Sequence, residues 1–322
     1  MRRRFLRGLL LTVGALAATT PVVARAQAGK VFRVGVLVVG QPEPFWTIFR
    51  TTLKELGYTE GGNIQFEFRS AEFVPARLDA LAAELVTLGV DAIVAVQTPS
   101  ALAAKKATRT IPIILAGVGD AVATGLVTSL ARPDANLTGV STATAELAGK
   151  SVELLKEILP AARRIAAIAS APDPFHKPFL DQLEKAGSQG GVAIERVMIE
   201  READLEPAFS RLGDGAVDAV VVQPSLSVKL TADLSLKHRL PSASASRRFT
   251  DAGGLLSYAA DIQHIYRDSA VYLDKILKGA RPGDLPVQGP VKIEMIVNLK
   301  TARALNLTVP QSILIRADEV IE

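Results

Sequence analysis

The chain contains no cysteine. That excludes disulfide bracing, a thiol nucleophile, and a lipid-bearing cysteine behind a signal segment. Histidine is nearly as scarce: His176, His238 and His264 are the only three, and their spacing is not that of metal ligands. No Gly-x-Ser-x-Gly elbow occurs. The densest carboxylate cluster, Glu200, Glu202, Asp204 and Glu206 around Arg201, sits at a predicted helix start with no apolar pocket beside it, and reads as a solvated face. We therefore expect no catalytic residue, no metal and no cofactor, and a protein that is not an enzyme. Aromatics make up only 5%, with Trp46 the sole tryptophan, while 48% of the chain is hydrophobic. An aliphatic core rich in Ala, Val and Leu suits helices packed on parallel sheets.

The positive charge is also less than it looks. The formal net charge is +4, but the N-terminus reads "MRRRFLRGLLLTVGALAATTPVVARAQA". A basic start, an apolar middle and small residues at the end predict a signal peptide over residues 1–26. The run is too short and too broken by Gly14, Thr19, Thr20 and Pro21 to span a bilayer well. "RRRFLR" fits a twin-arginine signal, with Met1 where Ser or Thr is usual, and fits an Arg-rich Sec signal equally. Without that segment, 32 basic residues face 33 acidic ones, a net charge near −1. Nothing basic remains to favour nucleic acid. The expected location is the periplasm, as a free protein rather than a lipoprotein.

Phosphate-binding loops are missing too. In "IILAGVGDAVATGLVTSLARPDANLTGVS" (113–141), an apolar run ends at Gly117-Val118-Gly119-Asp120 and a helical pattern follows. A dinucleotide fingerprint needs a third glycine at 122, where Val122 stands, and no Walker lysine follows Thr124-Gly125. Asp120 reads as the N-cap of the next helix, or alternatively as a direct ligand contact. Gly119 allows close backbone approach.

What is present is alternation. Strands are predicted at 32–39, 64–68, 91–96, 111–115, 164–169, 192–198, 217–222, 255–258 and 291–297. Helices are predicted at 45–56, 76–88, 100–108, 122–131, 144–159, 176–187, 203–212 and 262–278. This predicts an α/β fold of right-handed βαβ units. The pattern occurs twice. "FRVGVLVVGQPEPFW" (32–46) is echoed by "RRIAAIASAPDPFHK" (163–177), "VDAIVAVQTPS" (90–100) by "VDAVVVQPSLS" (217–227), and more weakly "IPIILAGVGDA" by "LPSASASRRFTDA". Near-constant offsets predict two doubly wound, Rossmann-like lobes with a cleft at the carboxyl ends of their strands.

The candidate ligand-binding residues sit at those strand exits. Phe45 and Trp46 on one lobe would face Phe175 across the gap, with Trp46 a stacking platform or half-buried rim packing. Thr98-Pro99-Ser100 and Gln223-Pro224-Ser225 are helix starts whose free N–H groups favour a carboxylate, or caps alone. Arg247, followed by Arg248, could fork onto a carboxylate or simply open a solvated helix. Gln41, Ser141, Ser170 and Tyr258 complete the set with Gly119 and Asp120. Asp261 reads as a helix cap.

Over its whole mature length the chain resembles the ABC-transporter substrate-binding proteins of the tryptophan-binding-like group. The resemblance is carried by "ELGYTEGGNIQFEFR" (55–69), "RLDALAAELVTLGVDAIVA" (77–95), the 111–141 segment, "ELLKEILP" (153–160), "DAGGLLSYAADI" (251–262), "YLDKILKGARPGDLPV" (272–287) and "VNLKTARALNLTVPQSILIRADEVI" (297–321). The chain departs from the group at Gly119-Asp120-Ala121, where Gly-Asp-Pro is common, at Pro133-Asp134-Ala135-Asn136, where Pro-Gly-Gly-Asn is common, and in "ASASRRF" (243–249). The resemblance implies a type I periplasmic-binding fold with lobe 1 from 31–140 plus 256–286 and lobe 2 from 141–255 plus 287–322. Hinge crossings are expected near 138–145, 252–260 and 284–292. It implies capture of a small carboxylate-bearing ligand, aromatic or an amino acid, by a monomer that delivers it to a membrane permease. A ligand sensor signalling to a membrane receptor is the alternative, and an exported hydrolase a third reading.

Overall fold

The computed structural model describes residues 30–133, 136–213 and 215–322. The predicted signal peptide, and Asp134 and Ala135 of the Pro133–Asn136 motif, lie outside those residues.

Among the described residues twelve strands form two sheets. The first holds β1 (Phe32–Val38), β2 (Ile64–Ser70), β3 (Ala92–Val96), β4 (Ile113–Val118) and β5 (Leu137–Ser141), in the order β2-β1-β3-β4-β5, all parallel. The second holds β6 (Arg164–Ser170), β7 (Ala193–Ile199), β8 (Ala219–Val222), β9 (Ser242–Ser244), β10 (Leu256–Ala260), β11 (Ile293–Asn298) and β12 (Glu319–Ile321). Its order, β12-β11-β10-β9-β8-β6-β7, repeats the first sheet and adds two strands, with β11 antiparallel to β10.

Among the described residues eleven α-helices cover the faces: α1 (Phe45–Glu55), α2 (Leu78–Thr87), α3 (Gln97–Ala107), α4 (Thr144–Ile158), α5 (His176–Gly190), α6 (Leu205–Gly213), α7 (Val228–Lys237), α8 (Arg247–Asp251), α9 (Ile262–Leu277), α10 (Leu299–Ala304) and α11 (Gln311–Arg316). Strands buried on both sides must be apolar throughout, and β3 is: Ala-Ile-Val-Ala-Val, every residue buried. Strand alternation then divides lobe 1 into two cores. Val34, Val36 and Val38 pack with Phe45 and Phe49 of α1 and Leu273 of α9, whereas Leu37 and Ile93 pack with Leu78 and Leu85 of α2.

The repeated Val-Asp-Ala has one structural job in both lobes. Asp91 accepts from the amide of Arg33 at 2.8 Å, and Asp218 from those of Arg163 and Arg164 at 2.7 and 2.8 Å. Each carboxylate satisfies the start of the neighbouring first strand. The two amides hold the Asp218 carboxyl below its usual value.

Two expectations are corrected. Residues 122–131 form turns, not a helix. Asp120 does accept from the amides of Val122 and Ala123 at 3.0 and 2.9 Å, but Gly125 at φ +70° closes the chain after a single turn. Second, Leu256–Ala260 hydrogen-bonds within the larger sheet, to β9 and β11, so the chain returns to lobe 1 after Ala260 rather than before Leu256. Three segments cross between the sheets. β5 leads to α4, and β10 leads to α9, whose cap Asp261 accepts from Gln263 at 2.8 Å. The third runs from Gln288 to β11. They are stitched together: the amide of Ser141 donates to Gln288 and that of Asp261 to Lys292, at 2.8 and 2.9 Å.

Candidate functional site: the interlobe cleft

A cavity of about 420 Å³ lies between the lobes, at the carboxyl ends of β1, β3, β6 and β7. The lobes line it with different chemistry. Lobe 1 supplies every aromatic side chain, Phe45, Phe73 and Tyr266, together with Val38, Pro42 and Val96. Lobe 2 supplies every charge but Glu43: Asp173, Glu200, Arg201, Glu202, Lys229 and Arg248.

Asp173 is the buried charge. It is 6% exposed, at the β6 exit, within the echoed Pro-acid-Pro-Phe. One oxygen accepts from the Phe175 amide at 3.0 Å and the other from the Gln223 side chain at 2.8 Å. Burial pushes its carboxyl above the usual range, although the Phe175 amide, Ser225, His176 and Gln223 all pull the other way. Among the described residues no lysine or arginine pairs with it. Gln223 is itself 1% exposed and accepts from the Ser170 amide at 2.9 Å, so it braces the β6 exit and aims Asp173.

Three cations reach the cavity, and two are spent. Arg201 is bound by Asp204 at 3.0 Å, and Lys229 is paired with Asp233. Arg248, exposed on α8, has no carboxylate partner among the described residues. It lies close enough to Tyr266, across the cleft, to oppose the upward push that burial gives that phenol. Tyr266 packs edge-on against Phe45, ring centroids 5.2 Å apart. Gln97 also lines the cavity and holds φ +67°, a conformation that non-glycine residues adopt at cost.

Of the sequence-predicted residues, Gln41, Phe45, Pro99, Ser170 and Ser225 line this cavity. The others stand elsewhere. Trp46 is one position along α1 from Phe45 and so points about 100° away. Its ring packs on Phe66 and Phe68, centroids 4.9 and 5.5 Å off, under the Arg50 guanidinium, in a separate groove of about 490 Å³ on lobe 1. Thr98 accepts from the Gly119 amide at 3.0 Å, and Ser100 is fully buried in α3. Gly119 meets Phe175: a Cβ there would lie 2.6 Å from the phenylalanine ring. Phe175, 4% exposed, is thus a contact between lobes and not a wall of the cavity. Asp120 closes its turn, Ser141 belongs to the hinge stitch, and Tyr258 is packed between the cores of the two lobes. Arg247 is spent on Glu319 at 2.7 Å, with Asp251 and Glu294 at 3.5 and 3.8 Å.

Asp173, Arg248, Tyr266 and Phe73 are the residues that sequence reasoning left out. Asp173 had a signal, the acid inside the repeated Pro-acid-Pro-Phe. Arg248 had a half-signal, since the Arg pair was visible but not the face each side chain takes. Among the described residues no three His, Asp or Glu side chains gather as a metal site, and no helix is long and apolar enough to cross a membrane.

Residues 47–321 match the family of ABC transporter substrate binding proteins. The chain belongs to that family. Its relatives include a tyrosine-binding protein of Clostridioides difficile (strain R20291), 28% identical over 263 residues, or 80% of this chain and 75% of the relative. Among solved structures, an ABC domain from Streptococcus pneumonia in complex with L-Trp superposes with a TM-score of 0.83 at 24% identity, covering 91% of this chain and all of that one. The ligand-free, open structure of a substrate-binding protein with adhesive properties from Clostridium difficile gives 0.64 at 25% identity, covering 90% and 99%. The type I fold with two parallel-sheet lobes expected from sequence is the one found. Substrate-binding proteins are a non-enzyme family that hold small molecules.

Proposed function

We propose that this protein captures a small zwitterionic ligand, an aromatic amino acid foremost, between its lobes in the periplasm and hands it to the permease of an ABC importer. The observation that carries the reading is the separation of chemistry in one cavity: Asp173 and Arg248 on lobe 2, neither in an ion pair among the described residues, and the Phe45–Tyr266 aromatic pair on lobe 1. A buried carboxylate without a cation favours an ammonium, and an unpaired guanidinium favours a carboxylate by two parallel hydrogen bonds. The ligand's apolar part would then face the rings. A ligand with contacts on both lobes binds the closed form better than the open one and so shifts the population toward closure. The names of the relatives, which concern tyrosine and tryptophan, support the same ligand class.

The protein acts as an exported monomer, free of a lipid anchor, and turns nothing over. The test is a thermal-shift screen of residues 27–322 against amino acids, aromatic acids, short-chain acids and nucleosides. Ligand at about 100 times its dissociation constant stabilises by ~2.7 kcal/mol, a rise of several degrees. Response to aromatic amino acids but not to nucleosides is the expected result. No response to any amino or aromatic acid overturns the ligand class. Uptake of the labelled ligand by cells with and without the gene then separates import from sensing: a bound ligand with unchanged uptake marks a sensor.

A further inference from the structure

The segment after β2, Ala71–Pro75, runs along the mouth of the cavity in an unusual conformation. Glu72 and Phe73 hold φ +53° and +60°, two consecutive non-glycine residues in the left-handed region. Such strain persists only where surrounding structure dictates it. Here it is dictated by the β1 exit. The Phe73 amide donates to the Val39 carbonyl at 2.8 Å, and the Ala71 amide to that of Val38 at 3.0 Å. Ser70 donates its hydroxyl to the Gly40 carbonyl at 2.9 Å and accepts from the Glu72 amide at 3.1 Å. The product of this bracing is a phenylalanine that is not buried: Phe73 is 62% exposed, yet it lines the cavity. Its ring lies over Gly40, where an added Cβ would come within 2.2 Å of it. A glycine is therefore required for the ring to occupy this position.

An exposed aromatic ring held by a strained strap adds nothing to the core, and water is a poor partner for its face. We propose that Phe73 is a specificity-determining residue, a fixed ring at the cavity mouth that covers the flat apolar side chain of an amino-acid ligand and selects for it. This assignment rests on the amino-acid reading above and adds to it the choice among amino acids. Lobe 1 is where such a residue belongs, because that lobe already supplies the other rings of the cavity.

The test is isothermal titration of the purified protein with L-tryptophan and L-tyrosine, in the native form and three variants. Phe73→Asn removes the ring while keeping a residue that tolerates positive φ, so the strap is preserved. Phe73→Tyr keeps the ring. Gly40→Ala leaves the ring in place chemically but pushes it off its seat. Phe73→Asn and Gly40→Ala should each weaken the probes by about tenfold or more, the loss of one stacked, buried aromatic contact, with melting temperatures near native. Phe73→Tyr should stay within about threefold of native. Binding to Phe73→Asn as tight as to the native protein overturns the assignment, as does a Phe73→Tyr variant as weak as Phe73→Asn. If the native protein binds neither probe, the amino-acid reading itself falls and takes this assignment with it.

Discussion

The two lobes share strand order and opposite positions hold echoed sequence, yet they bring different chemistry to the cleft. At the first strand exit, lobe 1 places Phe45 against the cavity, whereas lobe 2 turns the equivalent Phe175 onto Gly119 and offers Asp173 instead. At the third strand of each lobe's order, Gln97 faces the cavity, whereas Gln223 is buried and aims Asp173. The repeat thus fixes where loops emerge and not what they present. One lobe has become an apolar platform, and the other a charged jaw. The zwitterion with an apolar side chain proposed above would use both.

The sharpest way to break that comparison lies within lobe 2, between neighbours. Arg248→Ala should weaken binding of an amino-acid ligand by about 100-fold, ~3 kcal/mol, because a charge-assisted forked contact is lost. Arg247→Ala should change affinity by less than about twofold, since its guanidinium is bound to Glu319, Asp251 and Glu294 outside the cavity, and exposed pairs contribute ~0–1 kcal/mol. Calorimetric titration of both variants decides it. Equal losses would mean that charge near α8 matters and position does not.

Asp173→Asn tests the other pole. Replacing the buried carboxylate should cost about 30- to 100-fold in affinity, the ~2–3 kcal/mol range of a hydrogen bond to a charged partner. The pH dependence gives a second reading. Burial raises the Asp173 carboxyl in the free protein, while a bound ammonium favours its ionised form. Ligand binding therefore releases a proton in mildly acid solution, and affinity should fall as pH drops through the free-protein value, with a slope up to about one decade per pH unit. Because the free value lies above the usual carboxylate range, the fall should begin at higher pH than for an ordinary aspartate. Titrations from pH 8 down to pH 4 should show it for the native protein and not for Asp173→Asn.

Much of this architecture could be read from sequence because parallel strands buried on both faces leave a plain mark. Runs such as Ala92–Val96 and Ala219–Val222 admit few other readings. β5 escaped because Leu-Thr-Gly-Val-Ser is short and polar in part, although Leu137 and Val140 are buried in the cores of lobe 1. The false helix at 122–131 had the right period but also Gly125, whose left-handed backbone ended it. Site residues were harder, since adjacent residues on a helix face different ways: the choice of Trp46 with Phe45, and of Arg247 before Arg248, turned on a rotation that sequence does not display. Phe73 left no trace at all, because its position depends on hydrogen bonds to Val38 and Val39, at the end of a strand far back in the chain.

Gly119→Ala probes the seam where the lobes meet. A methyl group 2.6 Å from the Phe175 ring must displace it, and overpacking of this kind costs ~1–3 kcal/mol. The cost falls on the closed form alone if the open form separates the two residues, so affinity should drop by about tenfold while the free protein melts nearly as before. Small-angle scattering should show a larger radius of gyration for the variant at a ligand concentration that closes the native protein. An unchanged radius and affinity would mean that Phe175 stays on Gly119 throughout the cycle.

Trp46→Phe should have the smallest effect, and that makes it the cleanest control. The indole lies on the outer side of α1, packed edge-on against Phe66 and Phe68 and covered by Arg50, 5.3 Å from the ring centroid. Substitution removes that cation–π contact and some ring area, a loss of ~0.5–1 kcal/mol, read as a melting point lower by about 2 °C. Affinity should stay within about twofold of native, because the cavity is lined by Phe45 on the other face of the same helix. A large loss of affinity on titrating this variant would show that the outer groove, and not the interlobe cavity, holds the ligand, and the contrast between an aromatic and a charged lobe would lose its meaning.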